Sequence, residues 1–272
     1  MALPVALQLY TVRDYLAEDF NGTLAKVKEM GYEGVELSGL NGADPVKVKE
    51  MLDANDLKVM SSHVPLAEML PNPEEAADRY LAAGCKYMAI PWTGEETRTS
   101  PEVWDEYIAK FAELGKRLKA KGIQLLYHNH DFEFRKFGDE TLLDILYSKV
   151  SPEYLQTQLD TCWVKFSGND PVAYLAKYAG RAPLVHLKDF HLEGASDVAP
   201  YELIGKVTES KGGASAFEFR PVGHGDQNMP SILEASEKAG ASWVIVEQDR
   251  SVGRTSLEAA AMSRAYLKGL GW

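Results

Sequence analysis

The chain is poor in the features that mark several protein classes. Two cysteines, Cys85 and Cys162, are too few in 272 residues for a disulfide scaffold, and the expected compartment is the reducing cytoplasm. No apolar run approaches the roughly 18 residues that a membrane-spanning helix needs. The start, Met1-Ala2-Leu3-Pro4-Val5, lacks the charged opening and apolar core of a secretory leader. Basic residues are outnumbered, 29 Lys and Arg against 40 Asp and Glu, for a formal net charge of −11, and they form no block. A nucleic-acid partner, which requires a basic face, is therefore not expected. No Pro/Ser-rich linker or low-complexity tract marks a second domain.

What the chain does contain is a recurring pair of patterns. Short apolar runs occur at Val5–Leu9, Gly34–Leu37, Leu57–Ser61, Tyr87–Pro91, Ile123–Tyr127, Leu155–Asp160, Leu184–Leu187 and Trp243–Val246. Most are near-continuous, as parallel strands covered by helices on the outside should be. Between them, sets such as Phe20, Leu24, Val27 and Met30, or Trp104, Ile108, Phe111, Leu114 and Leu118, follow helical spacing. Asn72-Pro73-Glu74-Glu75 and Ser100-Pro101-Glu102 put a cap, a first-turn proline and acids in helix-starting order. Gly31, Gly84, Gly122 and Gly240 fall where helices should end.

Eight strands alternating with helices predict one (β/α)8 barrel over residues 1–272. The open doubly wound sheet is the competing architecture, but the first β-α turn, Tyr10 to Asp14, has no glycine-rich dinucleotide fingerprint. Residues 188–227 are too long for a bare connection and predict an extended loop after strand seven, with a helix near Tyr201–Glu209 and a strand near Ala216–Phe219.

Barrel enzymes work at the carboxyl ends of their strands, so polar residues there are the candidates. In strand order they are Gln8, Glu36, His63, Trp92, His128 with His130, Asp160, His186 with Lys188, and Glu247. His224 lies in the loop feeding the last unit. Strands five to eight thus direct His128, Asp160, His186 and Glu247 towards one mouth. Such imidazole and carboxylate donors suit one divalent ion, with Mn²⁺ leading and Zn²⁺, Co²⁺, Fe²⁺ or Mg²⁺ as alternatives. Tyr10, Trp92 and Trp163 offer aromatic faces to a sugar ring, although ordinary packing explains them equally well. Lys188 could neutralise an enolate or stand as a loop lysine. Glu133 reads as a turn acid and Cys162 as a packed thiol.

These fragments together resemble the xylose isomerase-like barrels, the sugar phosphate isomerase and epimerase group. The carriers are Leu7-Gln8-Leu9-Tyr10-Thr11-Val12-Arg13, Gly31-Tyr32-Glu33-Gly34-Val35-Glu36, Ser62-His63, Tyr127-His128-Asn129-His130, Leu159-Asp160-Thr161, Val185-His186-Leu187-Lys188-Asp189, Gly223-His224-Gly225 and Val246-Glu247-Gln248-Asp249. The resemblance implies metal ligation by Asp160, His186 and Glu247. It also exposes two departures: His128 stands where the epimerases carry a glutamate, and Trp163 where many members have a histidine. The familiar two-glutamate proton shuttle is therefore in doubt, and the Tyr-His-Asn-His and Glu-Gln-Asp fragments look closer to the inosose dehydratase and 3-keto-sugar lyase branch.

The resulting expectation is a metal-dependent enzyme that removes a proton next to the carbonyl of a keto-sugar or polyol substrate through a metal-stabilised enediolate. Glu247, His130 and His128 would serve catalysis. Lys188 and His63 would steady substrate oxygens, and Gln8, Tyr10, Glu36, Trp92, Trp163 and His224 would bind substrate. Isomerisation or epimerisation is placed first, with β-elimination from a keto-inositol or 3-keto-sugar beside it. A non-catalytic sugar-binding barrel and an apurinic endonuclease are remote alternatives, the latter opposed by the charge of −11. A homo-oligomer is possible on the strength of the long loop.

Overall fold

In a computed structural model, which describes residues 2–193 and 217–272, eight parallel strands close into a barrel. They are β1 (Val5–Gln8), β2 (Gly34–Ser38), β3 (Lys58–His63), β4 (Tyr87–Ile90), β5 (Gln124–His128), β6 (Leu155–Asp160), β7 (Leu184–Leu187) and β8 (Trp243–Val246). Closure is made by β1, which pairs with β2 on one side (Ala6 opposite Gly34) and with β8 on the other (Ala6 opposite Ile245). β3 and β5 run further than the apolar pattern suggests, so His63 and His128 lie within strands rather than just beyond them. Ladder pairing, unlike hydrophobicity, is indifferent to a polar side chain that points into the barrel.

Alternation sorts the side chains. Outward residues such as Leu7, Val35, Leu125, Leu159, Val185 and Val246 join the main core against the helices. Inward residues Ala6, Met60, Ala89, Leu126, Leu184 and Ile245 form a buried apolar floor. Two positions further along the same faces come Gln8, His128, His186 and Glu247, all buried. The barrel interior therefore changes from hydrocarbon to a polar layer within one side-chain repeat. β3 reaches that layer through an irregularity: Val35 pairs with Val59 but Glu36 with Ser61, leaving Met60 without a β2 partner. A bulge of this kind redirects the side chains beyond it. Met60 accordingly joins the floor while the Ser61 hydroxyl donates to Glu36 at 2.9 Å.

The helices start on local signals. Asp44, Asn72, Ser100, Asp170 and Asn228 each accept a backbone N–H with the side chain, and each is followed by proline at one of the first two helical positions. The cap satisfies an N–H that the helix leaves unpaired, and proline spends none. Gly31, Gly84, Gly122 and Gly240 adopt φ between 83° and 93°, a conformation that costs other L-residues energy.

After β7 the chain forms an antiparallel hairpin of Asp189–Leu192 with Phe217–Arg220. The second of these strands sits one residue later than the expected Ala216–Phe219, and the expected helix at Tyr201–Glu209 lies outside the described residues. Phe190, Phe217 and Phe219 from the hairpin enclose Cys162 and Trp163 in a separate small core beside the barrel mouth. Among the described residues, no helix is long and apolar enough to cross a membrane.

Candidate metal centre and active site

Four side chains from consecutive strands converge above the apolar floor. One ligand atom from each of His128, Asp160, His186 and Glu247 lies within 4.8 Å of the others, and all four residues are buried. His128 Nε2 is 3.6 Å from Asp160 Oδ2, and His186 Nδ1 is 2.9 Å from Glu247 Oε2. Asp160 is held by a division of labour between its oxygens. Oδ1 accepts the N–H groups of Cys162 at 2.8 Å and Trp163 at 3.2 Å, capping the short helix Thr161–Phe166. That leaves Oδ2, buried and without a hydrogen bond, directed at the cluster. Asn129 fastens the ends of β5 and β6 by accepting the Asp160 N–H at 2.9 Å.

Lys188 enters the same cluster from the end of β7. Its ammonium, almost wholly buried, lies 3.2 Å from Asp160, 3.0 Å from Glu247 and 3.1 Å from Asp249. Burial alone would lower the ammonium pKa, but the Asp249, Glu247 and Asp160 carboxylates reverse this and hold it well above the usual lysine range. Burial likewise opposes the charge on Glu247, and Lys188 with His186 nevertheless keeps it well below the usual carboxylate range. Asp249 is pushed up to about 6 by burial, and Asp160 is also raised by burial, against the pull of Lys188. His186 stays charged up to about 10: burial disfavours the imidazolium, but Glu36 and Glu247 on its two sides outweigh that.

The donor set fits a divalent ion. Two imidazoles and two carboxylates are a common first-row mixture, and the buried Asp160 Oδ2 has capacity left for a cation. His128, Asp160, His186 and Glu247 would be the ligands.

The wall above is a cavity of about 750 Å³ bordered by Tyr10, His63, Trp92, His130, Lys188 and Asp249. His130 has the character of a free base on this wall. Its Nδ1 is buried and unpartnered, and its ring stacks on Phe132 at 5.3 Å. Burial and the Lys188 charge depress its pKa well below the ordinary imidazole value, so the ring is neutral. Its backbone N–H donates to Glu133 at 2.7 Å. Trp92 stands edge-on to His130 at 5.1 Å.

The sequence candidates divide on this geometry. Tyr10, His63, Trp92, His128, His130, Lys188 and Glu247 border the cavity. Gln8 and Glu36 are wholly buried beneath it, and neither is on the wall. Trp163 does not face the cavity either: it turns down with the helix Thr161–Phe166 and stacks on Phe217 at 6.2 Å under the hairpin, so a sugar cannot lie on it. His224 is exposed, with Tyr266 6.2 Å away, and lies off the wall. These two fail because β-strand alternation stops where the chain leaves the strand. Asp249, not singled out beforehand, is on the wall; it continues the spacing of Ile245 and Glu247, which was its available signal.

A closed parallel barrel with a buried imidazole and carboxylate cluster at its carboxyl mouth defines the class of (β/α)8 barrel proteins with a candidate metal site. Within that class, the chain belongs to the xylose isomerase-like TIM barrel family, whose pattern matches residues 24–270. An inosose dehydratase of Lacticaseibacillus casei is 23% identical over 272 residues, covering 91% of this chain and 88% of that protein. A sugar phosphate isomerase/epimerase of Parabacteroides distasonis is similar in structure, with a TM-score of 0.77 at 22% identity over 98% of this chain and 94% of that one. An L-ribulose 3-epimerase gives 0.69 at 16% identity, covering 100% and 94%. The last two likenesses concern the fold.

Proposed function

We propose that the chain is a divalent-metal-dependent carbohydrate enzyme that removes the proton α to a ketone, and that its outcome is β-elimination of water from a keto-inositol or keto-sugar. The observation that carries this is the neutral imidazole of His130, which lines the cavity beside the four-residue cluster. A divalent ion held by His128, Asp160, His186 and Glu247, with Mn²⁺ the leading candidate, would supply Lewis-acid charge to the substrate carbonyl. His130 accepts the α-proton and, as imidazolium, returns it to the departing hydroxyl on the same face. Lys188 sets a fixed positive charge where oxyanion character develops, and needs no reorganisation to do so. Tyr10 and Trp92 bound the ring, and the buried setting excludes water from the base.

One observation sets elimination ahead of isomerisation and a second sets it ahead of epimerisation, reversing the order that sequence alone suggests. Relatives matched over nine-tenths of this chain bear the name inosose dehydratase. Epimerisation at one carbon needs bases on opposite faces, and the second carboxylate of a two-glutamate shuttle is His128 here. A one-face transfer between neighbouring carbons is the second reading, and the single base at His130 favours it equally.

The test is to follow a panel of keto-inositols and keto-sugars in D₂O by NMR with Mn²⁺ or Mg²⁺ added. Formation of an enone with loss of water is expected. Deuterium at the α-carbon without an enone would transfer the assignment to isomerisation or epimerisation, and no exchange with any ketone would overturn the reading.

A further inference from the structure

Beneath the candidate ligands lies a buried polar layer whose hydrogen bonds run in one direction. Glu36 Oε1 accepts from Ser61 Oγ at 2.9 Å and from Gln158 Nε2 at 2.6 Å, while Oε2 faces His186 Nε2 at 2.6 Å. An ionised carboxylate only accepts. Gln158 must therefore turn its amide nitrogen to Glu36, which leaves its carbonyl oxygen facing His63 Nε2 at 2.7 Å and His128 Nδ1 at 3.2 Å. That oxygen also only accepts, so each of these ring nitrogens must carry hydrogen. A neutral imidazole has one N–H. His128 Nε2 makes no hydrogen bond among the described residues, Asp160 Oδ2 being 3.6 Å away, so the ring's one N–H sits on Nδ1, the less common tautomer in water, and Nε2 is bare. This bare nitrogen lies 3.6 Å from Asp160 Oδ2, which makes no hydrogen bond and has the Lys188 ammonium 3.2 Å away: two acceptors point at each other across a gap that a cation would bridge.

The same reasoning applies to His186. Its Nε2–H donates to Glu36, so Nδ1, 2.9 Å from Glu247, is the nitrogen from which a metal would displace the proton. Outer partners of this kind fix ring orientation and tautomer at known metal sites.

We infer that Gln158 and Glu36 are positioning residues, Gln158 setting the tautomer of His128 and Glu36 the orientation of the His186 ring, so that His128 Nε2 and His186 Nδ1 turn towards Asp160 and Glu247. This rests on the metal-centre reading above and adds to it the reason a histidine can serve on β5. An imidazole there needs an acceptor for its second nitrogen, and Gln158, two residues before Asp160 on the adjacent strand, provides one.

Long-range ¹H–¹⁵N correlation on histidine-labelled protein tests the inference, with His128 identified by its loss in His128→Gln. In the metal-free parent, His128 is expected with hydrogen on Nδ1 and a bare Nε2. Hydrogen on Nε2 instead would overturn the inference without any variant being made. Gln158→Met, which keeps the length and removes the acceptor, should shift His128 towards the Nε2–H form and weaken Mn²⁺ binding by about 10- to 100-fold. Gln158→Glu, which in its protonated form repeats both the donor and the acceptor, should recover most of that loss. Unchanged Mn²⁺ affinity in Gln158→Met also counts against the inference. If the parent binds no divalent ion, the proposed function falls, and the His128 tautomer in the metal-free spectrum still decides this point separately.

Discussion

The Lys188 ammonium stands 3.0 Å from Glu247 Oε2 in a site that both side chains fill almost without exposure to water. Charges taken out of water persist only if paired, and Lys188 neutralises the same carboxylates that a divalent ion would need. Ammonium and metal therefore contend for Asp160 and Glu247. Lys188→Met should destabilise the metal-free protein by about 3–5 kcal/mol, because three carboxylates lose their counter-charge. Added Mn²⁺ should return a larger share of stability to this variant than it adds to the parent. Thermal unfolding with chelator and with Mn²⁺ checks both statements; equal metal-induced shifts in the two proteins would contradict the competition.

Metal removal should be visible in stability as well as in turnover. An ion that binds only the folded chain adds about 2.7 kcal/mol at a free concentration one hundred times its dissociation constant. The parent should show that gain in Mn²⁺ titrations followed by melting temperature. Asp160→Asn keeps the Oδ1 acceptor that caps Thr161–Phe166 and weakens the donor aimed at the cluster, so it should fold and lose most of the gain. His186→Ala should lose it as well. If either variant binds Mn²⁺ as tightly as the parent, the ligand set is wrong.

His130 has a different expected signature, since it borders the cavity without being among the four candidate ligands. His130→Gln should lower kcat by roughly 10²- to 10⁴-fold, the range that a positioned acid-base group contributes. Its Mn²⁺ affinity should match that of the parent. Single-turnover rates together with metal titration separate the two effects, and a loss of metal in this variant would place His130 among the ligands.

How far the sequence reveals this site depends on the range of the interactions involved. Helix starts at Asp44-Pro45, Asn72-Pro73 and Ser100-Pro101 are set by residues a few positions apart and can be read directly. The four-residue centre could be read too, because the regular alternation of β5 to β8 carries His128, His186 and Glu247 to one face. Trp163 and His224 could not be placed, since their directions follow the short helix and the loop into which the strands end. His63 reaches the polar layer by way of a shift in pairing at Val35 and Glu36, and nothing in the local sequence announces that irregularity. Gln158 was legible as a member of a strand face, but its role comes from the direction of hydrogen bonds that span β2, β3, β5 and β6.

Glu133 provides a pH-dependent test away from the four candidate ligands. It is fully buried and accepts from the Tyr127 hydroxyl at 2.6 Å and from the His130 N–H at 2.7 Å. Burial raises its pKa to about 7, and the two hydrogen bonds only partly offset the rise. A carboxyl that ionises at 4.5 when unfolded and near 7 when folded holds its proton more tightly in the folded state. Its contribution to stability is therefore greatest below pH 4.5 and declines as pH rises to 7, by roughly 3 kcal/mol at 1.36 kcal/mol per unit. Glu133→Gln cannot ionise and keeps the shape of the neutral form. Other groups titrate over the same interval, Asp249 among them, so the informative quantity is the stability difference between parent and variant. Urea unfolding at several pH values should show that difference moving against the parent from pH 4.5 to 8. A difference that does not change with pH would show that the Glu133 pKa is not raised on folding, the hydrogen bonds from Tyr127 and His130 being sufficient to offset burial.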